Sequence, residues 1–566
     1  MSKPELIRIQ DPVSDYRTVR TRLSNDATAK GHEAFLIEGV PFSKYQSRYY
    51  AELVAKLIVE KVKQTTLPKT EPLSIYEFGA GSGLLARSIL DYLKAYHPKV
   101  YARVKLTISD ICEDSFYDMV NSNMFHRHQA NVQLEVGDFL ATDFFKSDPP
   151  FFIYCTYLYD ALPMNRIVLD QGKAYEILTE TYLPKVAQFI DTSSAIPQVI
   201  GVDQLTNLTE SSENERRWLL RRDLGRQLLE NYSHRPVEAS DIPDEVKTEI
   251  INFAAQHPDW LATAFSVPSL FFLLMKRLSS IPNLTFFSVE VIVDDDQFCR
   301  KLALGRSNIH YGVVTYHSLF WPFAEAIFSD LNLHATRTVR ENGKTAEFLL
   351  ETGKPKLARA FHRLFDQGHD GAVATLKAVS LLKPTAKARS EFLTLHRTVP
   401  RSQKLEFTFL INMIALAVKL KAFDLAVYYA KLLRRFSPTL CPATYGTFAS
   451  IARLKGNNRR EHYWFREGVK RFPQNCFLRT HLVNYYLKTN QVSRAVSHSQ
   501  ALIRLSERDA IPTLMLQVAL LYMRDHQPKP ARAWVDAILE MKAQLHQPLE
   551  SDLDIFRKAE HLAQKL

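Results

Sequence analysis

Cysteine is scarce in this chain: only 5 of 566 residues, and Cys112, Cys155, Cys299, Cys441 and Cys476 are odd in number and widely scattered. No two stand at the short spacing that a structural zinc site uses, so neither a metal nor a disulfide framework is expected. Small buried thiols in a reducing compartment are the natural reading. Long hydrophobic runs are missing as well. The longest, such as Leu270 to Met275, fall far short of the roughly 20 apolar residues that span a bilayer. Met1-Ser2-Lys3-Pro4-Glu5 leads into no apolar stretch and lacks the Arg- and Ser-rich, acid-poor character of a transit peptide. A soluble cytoplasmic protein with no membrane span is expected. Glycine is sparse too, at 18 residues, which makes three of them within five positions, Gly79, Gly81 and Gly83, stand out.

What is present is length and a split of charge. A chain of 566 residues, 46% of them hydrophobic, predicts two or three domains, each with a real core. The net charge of +11 hides an asymmetry. Residues 356–566 hold 34 Lys and Arg against 16 Asp and Glu, about +18, which leaves about −7 for residues 1–355. A basic back half either meets an acidic partner or is simply a solvated helical surface.

Periodicity divides the chain further. Apolar positions at helical spacing (Tyr50, Leu53, Val54, Leu57, Ile58, Val62) mark an amphipathic helix between Lys44 and Lys63. After Leu67-Pro68, strands are predicted at Leu73 to Phe78, Val104 to Ser109, Val132 to Val136 and Phe151 to Cys155, with a helix from Leu84 to Tyr96. Alternation of this kind implies a parallel sheet covered on both faces. Phe286 to Val293 reads as a later strand, and Thr336 to Leu350 as a closing β-rich piece. Between them Glu213 to Leu278 reads as a mostly helical insertion over the sheet. From Lys356 the strand signals stop. Similar stretches recur at Lys421 to Pro438, Asn457 to Pro473, Asn490 to Ser506 and Gln527 to Ala543, offset by roughly 34 to 36 residues, the period of tetratricopeptide-type helical hairpins. Ala426, Ala495 and Ala531 take the small-residue place in three units, while Glu461 takes it in the fourth. The domains expected are an N-terminal extension, 1–43; an α/β Rossmann-like domain, 44–355, with its insertion at about 205–280; and an all-α repeat domain, 356–566.

Chemistry concentrates at the strand ends. Glu77-Phe78-Gly79-Ala80-Gly81-Ser82-Gly83 leaves a strand and opens a helix, and its glycines let backbone approach a ligand closely. A dinucleotide loop would want its third glycine where Leu84 stands. An acid two places before the first glycine suits a ligand with a positive end, as in S-adenosylmethionine with its ammonium and sulfonium. Asp110, ending the second strand, is placed to accept both ribose hydroxyls. Asp138 follows the third strand, placed to accept the adenine amino group, and Phe139 to pack on the base. Three acids at successive strand ends, in this order, form the pattern of class I methyltransferases.

After the fourth strand comes Cys155-Thr156-Tyr157-Leu158-Tyr159-Asp160-Ala161-Leu162-Pro163-Met164-Asn165-Arg166-Ile167. This stretch resembles the signature of the MidA-type methyltransferases, which include the mitochondrial complex I assembly factor that methylates arginine. Gly172 to Glu176, Gly312 to Tyr316, Leu331 to Leu333 and Thr345 to Leu350 extend the similarity over roughly residues 45 to 355. The resemblance implies a class I methyltransferase with S-adenosyl-L-methionine as cofactor and Asp160 orienting the acceptor or taking its proton, beside Tyr157 and Arg166. A structural Asp160–Arg166 pair is the competing role. The family's acidic residue after the fourth strand is Tyr157 here, which puts arginine as the acceptor in doubt.

Asp148-Pro149-Pro150-Phe151 matches an amine-holding tetrapeptide of nucleic-acid methyltransferases, but it precedes the fourth strand, on the wrong edge of the sheet, and reads as a turn. His126, His128, His317 and His334 form no ligand spacing. The expected function is methyl transfer to a protein acceptor with an acidic surface, docked by the basic repeats. The alternatives are a catalytically impaired cofactor-binding adaptor or assembly factor and, less favoured, a nucleic-acid methyltransferase.

Overall fold

The structure is a computed structural model that describes residues 5–28, 48–68, 70–141, 145, 149–159, 162–192, 196–202, 224–294, 309–311, 314–338, 344–366, 385–399, 403–405, 407–436, 441–506, 508–545 and 550–566. The chain divides into two compact units. One holds Pro12–Thr179 and Tyr232–Cys441; the other holds Met1–Asp11, Glu180–Asn231 and Pro442–Leu566.

The first unit is organised by a sheet. The strands that position the site are β1 (Leu73–Phe78), β2 (Val104–Asp110), β3 (Val132–Val136), β4 (Phe152–Thr156), β5 (Asn165–Asp170), β6 (Thr263–Val267), β7 (Thr285–Val293), β8 (Leu319–Phe320), β9 (Leu333–Arg337) and β10 (Lys344–Thr352). From β3 the order runs β2, β1, β4, β7, all parallel; β10 then pairs antiparallel with β7, and β9 with β10. Strands β1 and β4 are mostly apolar and buried on both faces, with Glu77 the one charged residue among them, as parallel strands covered by helices are. Helix α1 (Arg48–Gln64) buries Tyr50, Leu53, Val54, Leu57 and Ile58, most of the stripe its periodicity announced. Helix α2 (Leu84–Tyr96) buries Leu84, Leu85, Ile89, Leu90 and Leu93. The chain leaves β1 towards β2 and β3 on one side and returns to β4 on the other, so the carboxyl ends of β1 and β4 flank a topological switch point, where open α/β sheets bind ligands.

The segment expected to be a mostly helical insertion is mixed. It supplies helices Asp244–Gln256 and Ser269–Ser279, but also strand β6. β6 pairs antiparallel with β5 and parallel with β8, and β8 pairs with Ile292 and Val293 at the end of β7, which widens the sheet. β5 itself turns into the strand Lys173–Pro184 through Gln171 (φ 51°) and Gly172 (φ 75°). Two successive left-handed residues make the two-residue turn that matches strand twist. Nothing in the helical periodicity of the neighbouring segments announces these strands.

Beyond β10 the described residues are helical. In the first unit Phe407–Lys419 pairs with Phe423–Phe436. In the second, Pro442–Leu454 pairs with Asn458–Arg471, Cys476–Lys488 with Val492–Leu505, and Ile511–Arg524 with Pro528–Gln544. Each pair turns through one left-handed residue: Lys421, Gly456, Asn490 and His526. Ala426, Ala495 and Ala531 are fully buried, and Glu461 in the corresponding place is offset by Arg453 at 3.4 Å. No helix among the described residues is long and apolar enough to cross a membrane.

Candidate cofactor and acceptor site

Gly79, Gly81 and Gly83 carry φ of 61°, 51° and 67°, values that cost an L side chain about 1–2 kcal/mol each. Space is short as well. A Cβ on Gly79 would lie 3.0 Å from Leu158 Cδ1, and one on Gly83 2.8 Å from Met119 Sδ. The sharp turn is closed by Gly83 N–H donating to the Ala80 carbonyl at 3.0 Å, which delivers the chain into α2.

Glu77 pairs with Tyr154 in the β1–β4 register and is 3% exposed. Burial pushes its carboxyl well above the usual range, against the pull of the Tyr154 hydroxyl, with the nearby Asp110 charge adding to the rise. Its Oε2 is buried without a hydrogen-bond partner among the described residues, an arrangement that is costly unless a donor arrives. At the end of β2, Asp110 Oδ2 accepts the Gly81 N–H at 2.9 Å and Oδ1 the Cys112 N–H at 2.8 Å. Burial raises the Asp110 pKa, and these backbone donors oppose the rise.

Asp138 is exposed beyond β3, with Oδ1 accepting the Leu140 N–H at 2.9 Å. The Phe139 ring stacks on Phe78, with centroids 4.4 Å apart and planes 8° apart, so one ring face is committed to the core. The sequence reading missed two residues here. Arg277 donates to the carbonyls of Phe139 at 2.9 Å and Ala141 at 2.7 Å, clamping the segment that carries Asp138. Ile111, directly after Asp110, is 74% exposed, an apolar side chain beside the expected nucleoside position. No motif marks Arg277, which is one basic residue at a helix end.

On the far side of the switch point, Tyr157 adopts φ 55° as it leaves β4, its N–H donating to the Val289 carbonyl at 2.8 Å. A bulky residue in the left-handed region is strained, and such strain gathers at functional positions. Asp160 lies outside the described residues. Arg166, 5% exposed, sits with its guanidinium carbon 5.1 Å from the Tyr232 ring centroid. A third missed residue is Glu290 on β7. Its Oε1 accepts the N–H groups of Leu158 at 3.0 Å and Tyr159 at 3.2 Å, and the Ser288 hydroxyl at 2.8 Å. Burial raises its pKa to about 8 against those donors. The signal was available in the sequence, as the one charge inside the apolar run Phe286 to Val293.

These residues fit S-adenosyl-L-methionine. A buried, unpartnered carboxylate oxygen suits an ammonium, and glycines at positive φ leave backbone to cradle its chain. The second acid stands at the end of the adjacent strand.

Residues 53–262 match a family described as putative S-adenosyl-L-methionine-dependent methyltransferase. Over 111 residues the chain is 29% identical to the mitochondrial protein arginine methyltransferase NDUFAF7 homolog of Schizosaccharomyces pombe. That stretch is 19% of this chain and 23% of the relative, so the match spans about a quarter of the relative's length. A solved "likely methyl transferase" from Burkholderia thailandensis, bound to S-adenosyl-homocysteine, is 12% identical, covering 63% of this chain and 92% of that one, with a TM-score of 0.38. Human N-acetylserotonin methyltransferase in complex with SAM is 12% identical, covering 60% and 67%, with a TM-score of 0.22. Residues 53–262 are thus similar to the putative S-adenosyl-L-methionine-dependent methyltransferases, a family named for that cofactor.

Proposed function

We propose that this chain transfers a methyl group from S-adenosyl-L-methionine to a protein acceptor, and that its basic C-terminal helices, a tetratricopeptide-like array, dock that acceptor through an acidic surface. The observation that carries the reading is the buried, unpartnered Glu77 oxygen beside Asp110 at the ends of adjacent strands. The cofactor supplies an already activated methyl group. The protein's own work is then to position the acceptor, exclude water and remove a proton. Glu77 and the glycines hold the amino-acid end, Asp110 the ribose and Asp138 the adenine edge, with Ile111 against the base. Asp160, Tyr157 and Arg166 flank the acceptor. The recurrence of left-handed turn residues at 421, 456, 490 and 526 supports the repeat reading.

The second reading is a cofactor-binding adaptor without turnover. Tyr157, in place of the family's acid, favours it. Incubating the protein with methyl-labelled cofactor and a cell lysate, then digesting with protease or nuclease, separates the readings. Protease-sensitive label above that of an Asp110→Ala control is expected. Label no higher than the control would leave the adaptor, and nuclease-sensitive label would turn the acceptor into a nucleic acid.

A further inference from the structure

The chain that leaves β4 is held by β7. Tyr157, Leu158 and Tyr159 donate three successive N–H groups to that strand, the first to the Val289 carbonyl at 2.8 Å and the other two to Glu290 Oε1 at 3.0 and 3.2 Å. Register explains the change of partner. β4 and β7 pair in parallel as far as Thr156 with Val289, and Tyr157 at φ 55° then turns the chain out of the ladder. Leu158 and Tyr159 are both buried, so their N–H groups need a partner inside the protein that the ladder no longer supplies. A single carboxyl oxygen takes both, and the Ser288 hydroxyl at 2.8 Å as well.

The same loop meets its surroundings on two further sides. Leu158 Cδ1 fills the space beside Gly79, 3.0 Å from where a Cβ would stand, so the loop rests directly on the glycine turn. The Tyr159 hydroxyl donates to the Ser266 carbonyl on β6 at 2.7 Å, and its ring stands edge-on to Phe271. Ser266 belongs to a buried row in turn: its Oγ lies 3.0 Å from His317 Nδ1, and His317 Nε2 lies 3.6 Å from Asp15 Oδ2. Asp160 follows Tyr159 directly in sequence, so the anchored part of the loop ends where the residues proposed to flank the methyl acceptor begin.

Glu290 itself is 2% exposed and reaches the site through this loop. Burial raises its pKa to about 8, which makes a glutamine amide a close substitute for its carboxyl below that pH.

We propose that Glu290 is the positioning residue of the acceptor side: by holding the Leu158 and Tyr159 N–H groups it seats Leu158 on Gly79, and so fixes the loop that flanks the acceptor against the turn that carries the cofactor. The inference rests on the transfer reading above. Methyl transfer needs the attacking atom, the methyl carbon and the sulfur in line, and an error of about 1 Å in such an alignment costs on the order of 100-fold in rate. The cofactor, by contrast, is taken by Glu77, Asp110 and the glycine backbone, on β1 and β2. Loss of Glu290 therefore acts on the rate of transfer and not on the hold over the cofactor.

Three variants test it. Glu290→Leu fills the space but accepts no hydrogen bond, Glu290→Gln keeps an oxygen for the two N–H groups, and Glu290→Asp withdraws the carboxyl by one carbon. Each is compared with the unaltered chain for S-adenosyl-homocysteine affinity by calorimetry, and for label transferred to lysate protein over a range of cofactor concentrations. Glu290→Leu is expected to lower the saturating rate about 30- to 100-fold, with affinity and cofactor KM within about threefold of the unaltered chain. Glu290→Gln should recover at least about tenfold of that loss. A folded Glu290→Leu chain with an undiminished rate would overturn the inference. So would rate and affinity lost by the same factor, the mark of a general support of the fold. Should Glu290→Leu fail to fold, Glu290→Asp decides: a rate down at least about tenfold with affinity kept supports the inference, and an undiminished rate overturns it. Each of these results leaves the transfer reading standing. An unaltered chain that binds S-adenosyl-homocysteine but labels nothing would overturn both.

Discussion

Asp110 Oδ2 accepts the backbone N–H of Gly81 at 2.9 Å, so the acid expected to receive the ribose also pins the glycine turn that faces it. One residue then serves two ends: its charge orients backbone, and its remaining acceptor capacity is free to meet hydroxyls. Removing the side chain loses both. Asp110→Ala is expected to weaken S-adenosyl-homocysteine binding by about 10- to 100-fold, the worth of one or two hydrogen bonds to a charged group. Asp110→Asn, which keeps an acceptor oxygen, should lose less. Calorimetric titration measures both, and unchanged affinity in the alanine variant would remove Asp110 from the site.

Glu290 makes stability depend on pH. Its carboxyl is raised from 4.5 to about 8 in the folded chain. Below pH 4.5 both folded and unfolded chains hold the proton, and its contribution is fully present. As pH rises the unfolded chain ionises first, and the contribution is lost progressively until pH passes about 8. Urea unfolding at pH 5.5, 7 and 8.5 is expected to show stability falling by an amount on the order of 3 kcal/mol. In Glu290→Gln the slope should flatten. A slope that persists unchanged in that variant would assign it to other groups.

The parallel core was legible because its physics is local. β1 and β4 are mostly apolar runs, α1 and α2 have one-sided stripes, and glycines at 79, 81 and 83 break an otherwise glycine-poor chain. The acids could be read because Glu77 and Asp110 lie at the ends of strands and Asp138 lies two residues past one. Strands β5 and β6 were not legible as sheet members, since their pairing joins partners as much as 102 residues apart, Asn165 with Val267. Short apolar runs between helical segments do not reveal such partners. For the same reason Asp15, Ser266 and His317 looked unrelated, as three residues spread over 302 positions that only the fold brings together. Phe139 illustrates the reverse. Order along the chain put it directly after the third strand, but did not show that Phe78 would take one of its faces.

In the proposed site, Glu77 is the residue whose chemistry the cofactor's ammonium is expected to change most. Burial, with Asp110 nearby, holds its carboxyl well above the usual range in the free chain. An ammonium placed at the unpartnered Oε2 favours the carboxylate, so binding should release a proton. S-adenosyl-homocysteine affinity is then expected to strengthen as pH rises, by up to about tenfold per pH unit, until the free carboxyl ionises. At a pH below that raised value the binding enthalpy should differ between phosphate and Tris by the difference in their ionisation enthalpies, since the buffer takes up the proton. Glu77→Gln has no proton to release, so its enthalpy should be the same in both buffers and its affinity about tenfold lower. Equal enthalpies in the unaltered chain would mean that Glu77 does not change its protonation on binding, and the ammonium would have to be held elsewhere.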